Sequence, residues 1–340
     1  TTALGLVMVL KDVFKRPLLD LRISVTDRCN MRCRYCMPRE HFDNNHRYLP
    51  KSDILSFEEI VHVVESLLPS GLKKVRLTGG EPLIRKDLHK LIKQLRALSP
   101  ELDIALTTNA HLLSNSIEGL KKAGISRITV SLDAVDVEVY QLMGDTASTP
   151  DSIFDSIDKT LALGIPVKVN TVVQKGVNDN QLIPLISQMT SRNVPIRFIE
   201  YMDVGATNSW NLDHVITGEE MRSLIEKEFG ILQPIEPNHP SDVARKFCMK
   251  SGQVIGFIES ISNPFCGDCS RARLSANGSI FTCLFATKGF DIRGILRMDA
   301  SKDEISNAIA SIWSERNDRY SETRSEKTDS KRIEMSFIGG

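Results

Sequence analysis

The sequence has no long apolar run, no excess charge of either sign and few aromatic side chains. In 340 residues, 43 Lys and Arg balance 43 Asp and Glu, and Phe, Trp and Tyr together make up 6%. A chain without net charge is not held on nucleic acid by bulk electrostatics. No stretch has the roughly 20 apolar residues that a membrane-spanning helix needs. Neither nucleic acid nor a membrane is therefore expected as a partner. The most apolar N-terminal run, Ala3 to Leu10, stops at Lys11 without the basic lead of a secretory signal. It reads as a loosely ordered segment, residues 1–14, of a cytoplasmic chain, a compartment in which disulfides rarely persist.

Cysteine is scarce as well, but its seven copies are sorted. One triplet is Cys29-x3-Cys33-x2-Cys36, another is Cys266-x2-Cys269-x13-Cys283, and Cys248 stands alone as a small hydrophobe. Ligands a few residues apart can wrap one metal centre from a single loop. A closed structural zinc site normally takes four ligands. Three thiolates suit an iron–sulfur cluster with one iron left open, with zinc as the rival reading.

Between the triplets, strand and helix patterns alternate. Leu19–Val25 alternates polar and apolar residues, and further strands are expected at Lys74–Thr78, Ile104–Thr108, Ile128–Leu132, Val167–Val173 and Ile196–Tyr201. Helical spacing fills the intervals, opening with the capping box Ser56-x-x-Glu59. Six βα units favour a parallel sheet. Polar groups collect at the strand C-termini (Thr78-Gly79-Gly80-Glu81, Thr107-Thr108-Asn109, Ser131-Leu132-Asp133, Asn170), which favours a barrel with its site on that rim. The expected fold is α/β, a partial (βα)6 TIM-type barrel over 15–230 with a smaller C-terminal α+β unit, 231–340, covering its open side. After Gly230 come a Pro-rich connector (Pro234, Pro237, Pro240), a strand at Val254–Ile258 and a helix at Ile305–Trp313. The polar stretch Glu315–Arg332 reads as solvated.

An open iron can chelate an amino and a carboxylate group together. The glycines of Gly79-Gly80 let a ligand approach the backbone, and Glu81 can accept a hydrogen bond from an ammonium. With Cys29-x3-Cys33-x-Tyr35-Cys36 and Gly79-Gly80-Glu81-Pro82 the chain resembles the radical S-adenosylmethionine (SAM) superfamily. The strings Leu21 to Asn30, Lys74 to Thr78, Val167 to Asn170 and Ile196 to Glu200 narrow the resemblance to the GTP 3′,8-cyclases of molybdenum cofactor biosynthesis. So do the second triplet with Arg271-x-Arg273 and the final Gly339-Gly340.

That resemblance implies two 4Fe-4S clusters, each on three cysteines, and SAM as a further cofactor held at Tyr35, Gly80, Ser131 and Met202. A 5′-deoxyadenosyl radical would take hydrogen from C3′ of GTP, and the resulting radical would attack guanine C8. GTP would be held by Arg22, Arg76, Thr107, Lys168, Arg271, Ala272 and Arg273, with Lys74 and Arg197 as additional phosphate contacts and Gly339 and Gly340 reaching into the site. Expected partners are an electron donor and the next enzyme of the molybdenum cofactor pathway, with room for a homodimer. A two-cluster radical SAM enzyme acting on a peptide is the rival enzyme reading, and a metal-stabilised binding or sensor protein the non-enzymatic one. Ala110 departs from the family pattern, which has glycine there, and a positive φ at this position would add strain of about 1 kcal/mol.

Overall fold

The computed structural model describes residues 9–237, 242–324 and 332–340. Six strands follow one another as β1 (Asp20–Ser24), β2 (Lys74–Thr78), β3 (Asp103–Thr108), β4 (Arg127–Ser131), β5 (Val167–Val173) and β6 (Ile196–Glu200). They pair in parallel in chain order, with helices at Phe57–Leu67, Leu88–Leu98, Leu113–Ala123, Val137–Gly144, Asp151–Ala162 and Leu182–Thr190 on their outer side. The capping boxes at Ser56–Glu59 and Thr217–Glu220 are both formed. Apolar residues of alternate register (Leu21, Ile23, Val75, Leu77, Ile128, Val130) are fully buried under those helices. The opposite register faces the barrel interior, and it is there that the polar and charged residues sit.

The C-terminal unit does not simply cover the open side. Its strands β7 (Gln233–Ile235), β8 (Arg245–Cys248), β9 (Val254–Ile258), β10 (Arg271–Leu274), β11 (Ser279–Phe281) and β12 (Phe290–Asp291) extend the same sheet at both edges. β10 joins β1 in parallel and β9 joins β6 in parallel. The result is an incomplete barrel of eight parallel strands flanked by short antiparallel ribbons. Pro234 sits in β7 at the sheet edge, where a residue without an N–H is tolerated. Pro240 lies outside the described residues. The helix Lys302–Ser314 joins the outer layer through Lys302 Nζ, 2.5 Å from Glu65, and His62 Nε2, 2.9 Å from the Ala300 carbonyl.

Two expectations of looseness fail. Residues 1–8 lie outside the described residues, but the rest of the N-terminal segment is docked. Leu10 and Leu18 are hydrogen-bonded at 2.9 Å, and Asp12 is buried. In the polar stretch after Glu315, Arg316 is 4% exposed, and Tyr320, Arg324 and Arg332 surround Asp203. Composition misreads both segments because their polar groups are paired with each other and with the barrel rather than solvated. Residues 325–331 of that stretch lie outside the described residues. Among the described residues, no helix is long and apolar enough to cross a membrane.

Candidate active site

One cavity inside the barrel is lined by all six triplet cysteines. The first three lie on the loop after β1, against which the loop after β2 packs closely. Gly79, at φ 156°, and Gly80 lie on Thr26 and Arg28. A Cβ on Gly80 would stand 2.2 Å from the Arg28 carbonyl oxygen, and one on Gly79 2.5 Å from that of Thr26. Gly80 N and Glu81 N donate to those carbonyls at 2.9 and 2.8 Å. The glycines therefore admit the cysteine loop, and both still line the cavity.

Glu81, also in the cavity wall, is held by its own neighbours. Its carboxyl is 1% exposed and already accepts from Thr108 Oγ1 (2.8 Å), Asn109 N (2.8 Å) and Leu83 N (3.0 Å). Burial pushes it up to about 7. It braces the loop after β3, where Ala110 takes a left-handed φ of 64°.

Two further side chains shape this loop. Arg32 donates to the carbonyls of Phe42, Cys29 and Met31 and to the Tyr48 hydroxyl. Tyr35 donates its hydroxyl to Asp133 at 2.8 Å, and Asp133 also accepts from Val172 N at 2.9 Å. Burial raises Asp133 to about 6, the hydrogen bonds from Tyr35 and Val172 opposing it. Burial likewise lifts the thiols, Cys29 to about 11 and Cys33 and Cys36 further.

Deeper in the barrel the inward register is cationic. Arg22 stands beside Arg76 on β2 and beside Arg273 on β10, three arginines abreast in adjacent strands. One layer below, Asp20 stands between Lys74 and Arg271, 3.6 and 3.4 Å from their cationic nitrogens. Arg76 donates to Thr107 (3.0 Å) and Thr129 (3.1 Å), yet the Nε of both Arg22 and Arg76 is buried without a partner. Burial, then Arg271, Arg273 and Arg76, pull Arg22 well below the usual guanidinium range. A guanidinium keeps its proton, so the row holds repulsion that an anion would relieve. Burial, then Arg197, Arg76, Arg127 and Lys74, push the Lys168 ammonium down to about 6.

The second triplet faces the same cavity from the β9–β10 connection and the end of β11. Glu200, fully buried, ties that connection to the barrel by accepting from Ile261 N, Ser262 N and Gly218 N at 2.8, 2.9 and 2.8 Å. The final residues enter the barrel. Ile338 is fully buried, Arg273 donates to the Gly339 carbonyl, and Thr78 Oγ1 lies 3.4 Å from the Gly340 carbonyl. Gly339 has φ 78°, and a Cβ there would stand 2.5 Å from Thr78 Cγ2, so glycine is required.

Of the residues singled out from the sequence, the six cysteines, Tyr35, Gly80, Ser131, Met202, Arg22, Arg76, Thr107, Arg271, Arg273 and Gly340 line the cavity. Lys74 and Arg197 point inward below it, beside Asp20 and towards Asp242, and Lys168 lies among those cations. Ala272 sits on the opposite face of β10 in the hydrophobic core, so only its backbone could reach a nucleotide. Cys248 is on β8 away from both triplets. Sequence reasoning missed Arg127, although Arg127-Ile-Thr129-Val-Ser131 alternates like the other strands. It also missed Asp12, Arg16 and Arg316, for which no local pattern exists.

The donor sets fit clusters. All six thiols are free, and Cys29 and Cys283 each accept a backbone N–H, from Met31 (3.4 Å) and Phe285 (3.5 Å), which orients their sulfurs. Among the described residues no three His, Cys, Asp or Glu side chains converge on one ion. A cubane, whose ligands stand further apart, does not ask for that convergence.

Two family models match the chain, the radical SAM superfamily over residues 23–189 and Molybdenum Cofactor Synthesis C over 194–322. The GTP 3′,8-cyclase of Staphylococcus epidermidis is 45% identical over 338 residues, 98% of this chain and 99% of its own. That of Staphylococcus haemolyticus is 44% identical over 341 residues, 98% of this chain and all of its own. That of Staphylococcus aureus is 42% identical over 337 residues, 97% and 99% of the two chains. Among solved structures, Streptococcus suis SuiB bound to its precursor peptide SuiA aligns over 93% of this chain and 69% of its own, with TM-score 0.62 and 15% identity. Native anSMEcpe with bound AdoMet aligns over 84% and 82%, with TM-score 0.53 and 14% identity. At such identities these two support the fold alone.

Proposed function

The chain belongs to the GTP 3′,8-cyclases, radical SAM enzymes of molybdenum cofactor biosynthesis, and we propose how its own residues divide the work of that reaction. The reaction takes hydrogen from C3′ of GTP and joins C3′ to guanine C8, giving (8S)-3′,8-cyclo-7,8-dihydroguanosine 5′-triphosphate. The full-length relatives at 42–45% identity set aside the peptide-modifying alternative.

Cys29, Cys33 and Cys36 would hold a 4Fe-4S cluster, which would supply the one-electron reduction of SAM that the reaction needs. Tyr35, fixed by Asp133, shapes the wall beside it, and Gly80, Ser131 and Met202 complete the SAM pocket. Cys266, Cys269 and Cys283 would hold a second cluster, which would supply a Lewis-acid contact for the purine. Arg22, Arg76 and Arg273, with Arg271, Lys168, Lys74, Arg197 and Thr107, receive the triphosphate, in keeping with the two-point contacts arginine makes with phosphate. Ala272 contributes backbone only. Gly339 and Gly340 occupy the wall that Arg273 and Thr78 share, so the tail helps keep water from the substrate radical.

The arginine row carries this reading. Three like charges abreast in a buried wall repel one another, and a polyanion is the ligand that turns the arrangement favourable. A one-electron donor for the first cluster and the enzyme that takes the product onward are the expected partners, in the cytoplasm. Anaerobic reconstitution tests the assignment. The protein should bind about eight irons per chain and, reduced with SAM, form 5′-deoxyadenosine while consuming GTP. About four irons in a GTP-converting protein would overturn the second cluster, and about two zincs without iron would overturn both.

A further inference from the structure

Beneath the second triplet lies a buried charge cluster that neither family match contains whole. Asp12 and Arg16 precede the first matched segment, and Arg316 falls near the end of the second. All three are buried, with side-chain exposures of 0–2%. Asp12 Oδ2 accepts from Arg16 Nε at 2.6 Å and from Arg316 Nη1 at 3.3 Å, while its Oδ1 takes the backbone N–H groups of Phe14 (3.0 Å) and Arg16 (2.8 Å). One carboxylate thus closes a tight turn and joins two guanidiniums from opposite ends of the chain.

Both guanidiniums then point at the cysteine loop. Arg16 Nη1 donates to the Cys266 carbonyl at 2.7 Å and to that of Asp318 at 2.9 Å. Arg316 Nη1 donates to the Cys269 carbonyl at 2.7 Å. Trp313 locks the arrangement from below, its ring 4.5 Å from the Arg316 guanidinium carbon and its Nε1 donating to the Arg16 carbonyl at 3.1 Å. A loop of Cys266-Gly267-Asp268-Cys269 has only one turn of 3-10 helix of its own. Within the loop the Cys266 carbonyl accepts only from Cys269 N, at 3.3 Å, so the two guanidiniums supply the shorter bonds that hold the cysteine peptide planes, and the thiols with them.

We propose that Asp12, Arg16 and Arg316 are positioning residues for the second triplet, fixing the Cys266 and Cys269 peptides so that both thiols face the cavity ready for a cluster. The N-terminal segment is on this view part of the second metal site, although it supplies no ligand. Asp12 is the keystone. Removing its charge leaves two buried guanidiniums with only the half-buried Asp318, 3.4 Å from Arg316 Nε, to offset them, and their aim at the two carbonyls is lost. The inference rests on the reading of Cys266, Cys269 and Cys283 as cluster ligands, so its test includes a measurement without metal.

The test uses the full chain with Asp12→Asn, and Arg316→Lys as a second variant that retains the charge but ends where the guanidinium carbon stands, one bond short of the Nη1 that meets both Asp12 and Cys269. In metal-free protein, amide hydrogen exchange across 266–271 should quicken by about tenfold or more while the loop 29–36 keeps its wild-type rates. After anaerobic reconstitution, iron should fall by about half, with the spectroscopic signal of the first cluster intact. A merely structural role would raise exchange throughout the chain. Such a uniform rise, or unchanged exchange at 266–271, would overturn the proposal, and so would a full iron complement in both variants. Should Asp12→Asn not fold, Arg316→Lys gives the same readings. If wild-type protein takes up only half the iron, the cluster assignment fails, and the exchange comparison still decides whether the triad orders the loop.

Discussion

The two cysteine triplets face one cavity but are held in different ways. The first is braced partly by its own loop and partly by the barrel, where Tyr35 donates to Asp133 and Arg32 N to the Gly144 carbonyl. Arg32, three residues from Cys29, ties up the loop's carbonyls, and Gly79 and Gly80 bring the next βα loop against it. The second is braced from far away, by Asp12, Arg16, Glu200 and Arg316. Burial raises the first-triplet thiols and Cys283, whereas at Cys269 the opposing charges of Arg271 and Arg316 outweigh burial and hold the thiol below its usual range. The first motif supplies some of its supports from its own loop, whereas the second takes its side-chain braces from other segments of the chain.

Serine substitutions break the comparison most completely. Cys33→Ser should abolish both 5′-deoxyadenosine formation and GTP consumption, measured by chromatography of reduced reaction mixtures. Cys283→Ser should leave reductive SAM cleavage in place and abolish GTP conversion alone. Turnover of GTP by the latter variant would mean that the second triplet has no part in the reaction.

Next in size is the arginine row between the two triplets. Arg22→Ala removes a charge-assisted contact with a phosphate and should weaken GTP binding by about 30-fold, roughly 2 kcal/mol. SAM binding at the first triplet should be unchanged, and calorimetry with each ligand separates the two. Equal loss for both ligands would contradict the division of the cavity.

The Lys168 ammonium gives a pH signature. Burial and the surrounding cations hold it near 6 in the free protein, and a bound polyanion would raise it, so binding takes up a proton above pH 6. GTP affinity should therefore fall as pH rises from 6 to 8, by at most about tenfold per unit from this group. Lys168→Met should flatten the slope, leaving only what the triphosphate itself contributes. An unaltered slope in that variant would remove Lys168 from the phosphate site.

The smallest effect concerns the loop after β3 that Glu81 braces. Ala110 holds φ 64° while fully buried. Ala110→Gly relieves about 1–2 kcal/mol of left-handed strain but loses a buried methyl worth about 0.8 kcal/mol. A net gain under about 1 kcal/mol in denaturant unfolding is expected. A loss larger than that would show that the methyl's packing, not the backbone, governs this position.

Much of the site was legible because it lies on strands. Period two places Arg22, Lys74, Arg76 and Lys168 on the inner face as soon as the strands are assigned, and β2, β5 and β9 run over the expected residues. The helix Val137–Gly144 was missed, since its short apolar face is not clearly periodic. The docked N-terminal segment and the residues after Glu315 were misread for a different reason. Buried charge that is paired has the same composition as solvated charge, and only the partner's position distinguishes them.

The sequence by itself determined the two thiol triplets, the six βα units and the cationic inner register, because each depends on spacing within a few residues. Tertiary structure decided the rest. It extended the sheet at both edges, packed Gly79 and Gly80 against the cysteine loop, and carried Gly339 to Arg273. It also brought Asp12 to Arg316, a meeting that depends on strand order and on the burial that makes an unpaired charge costly.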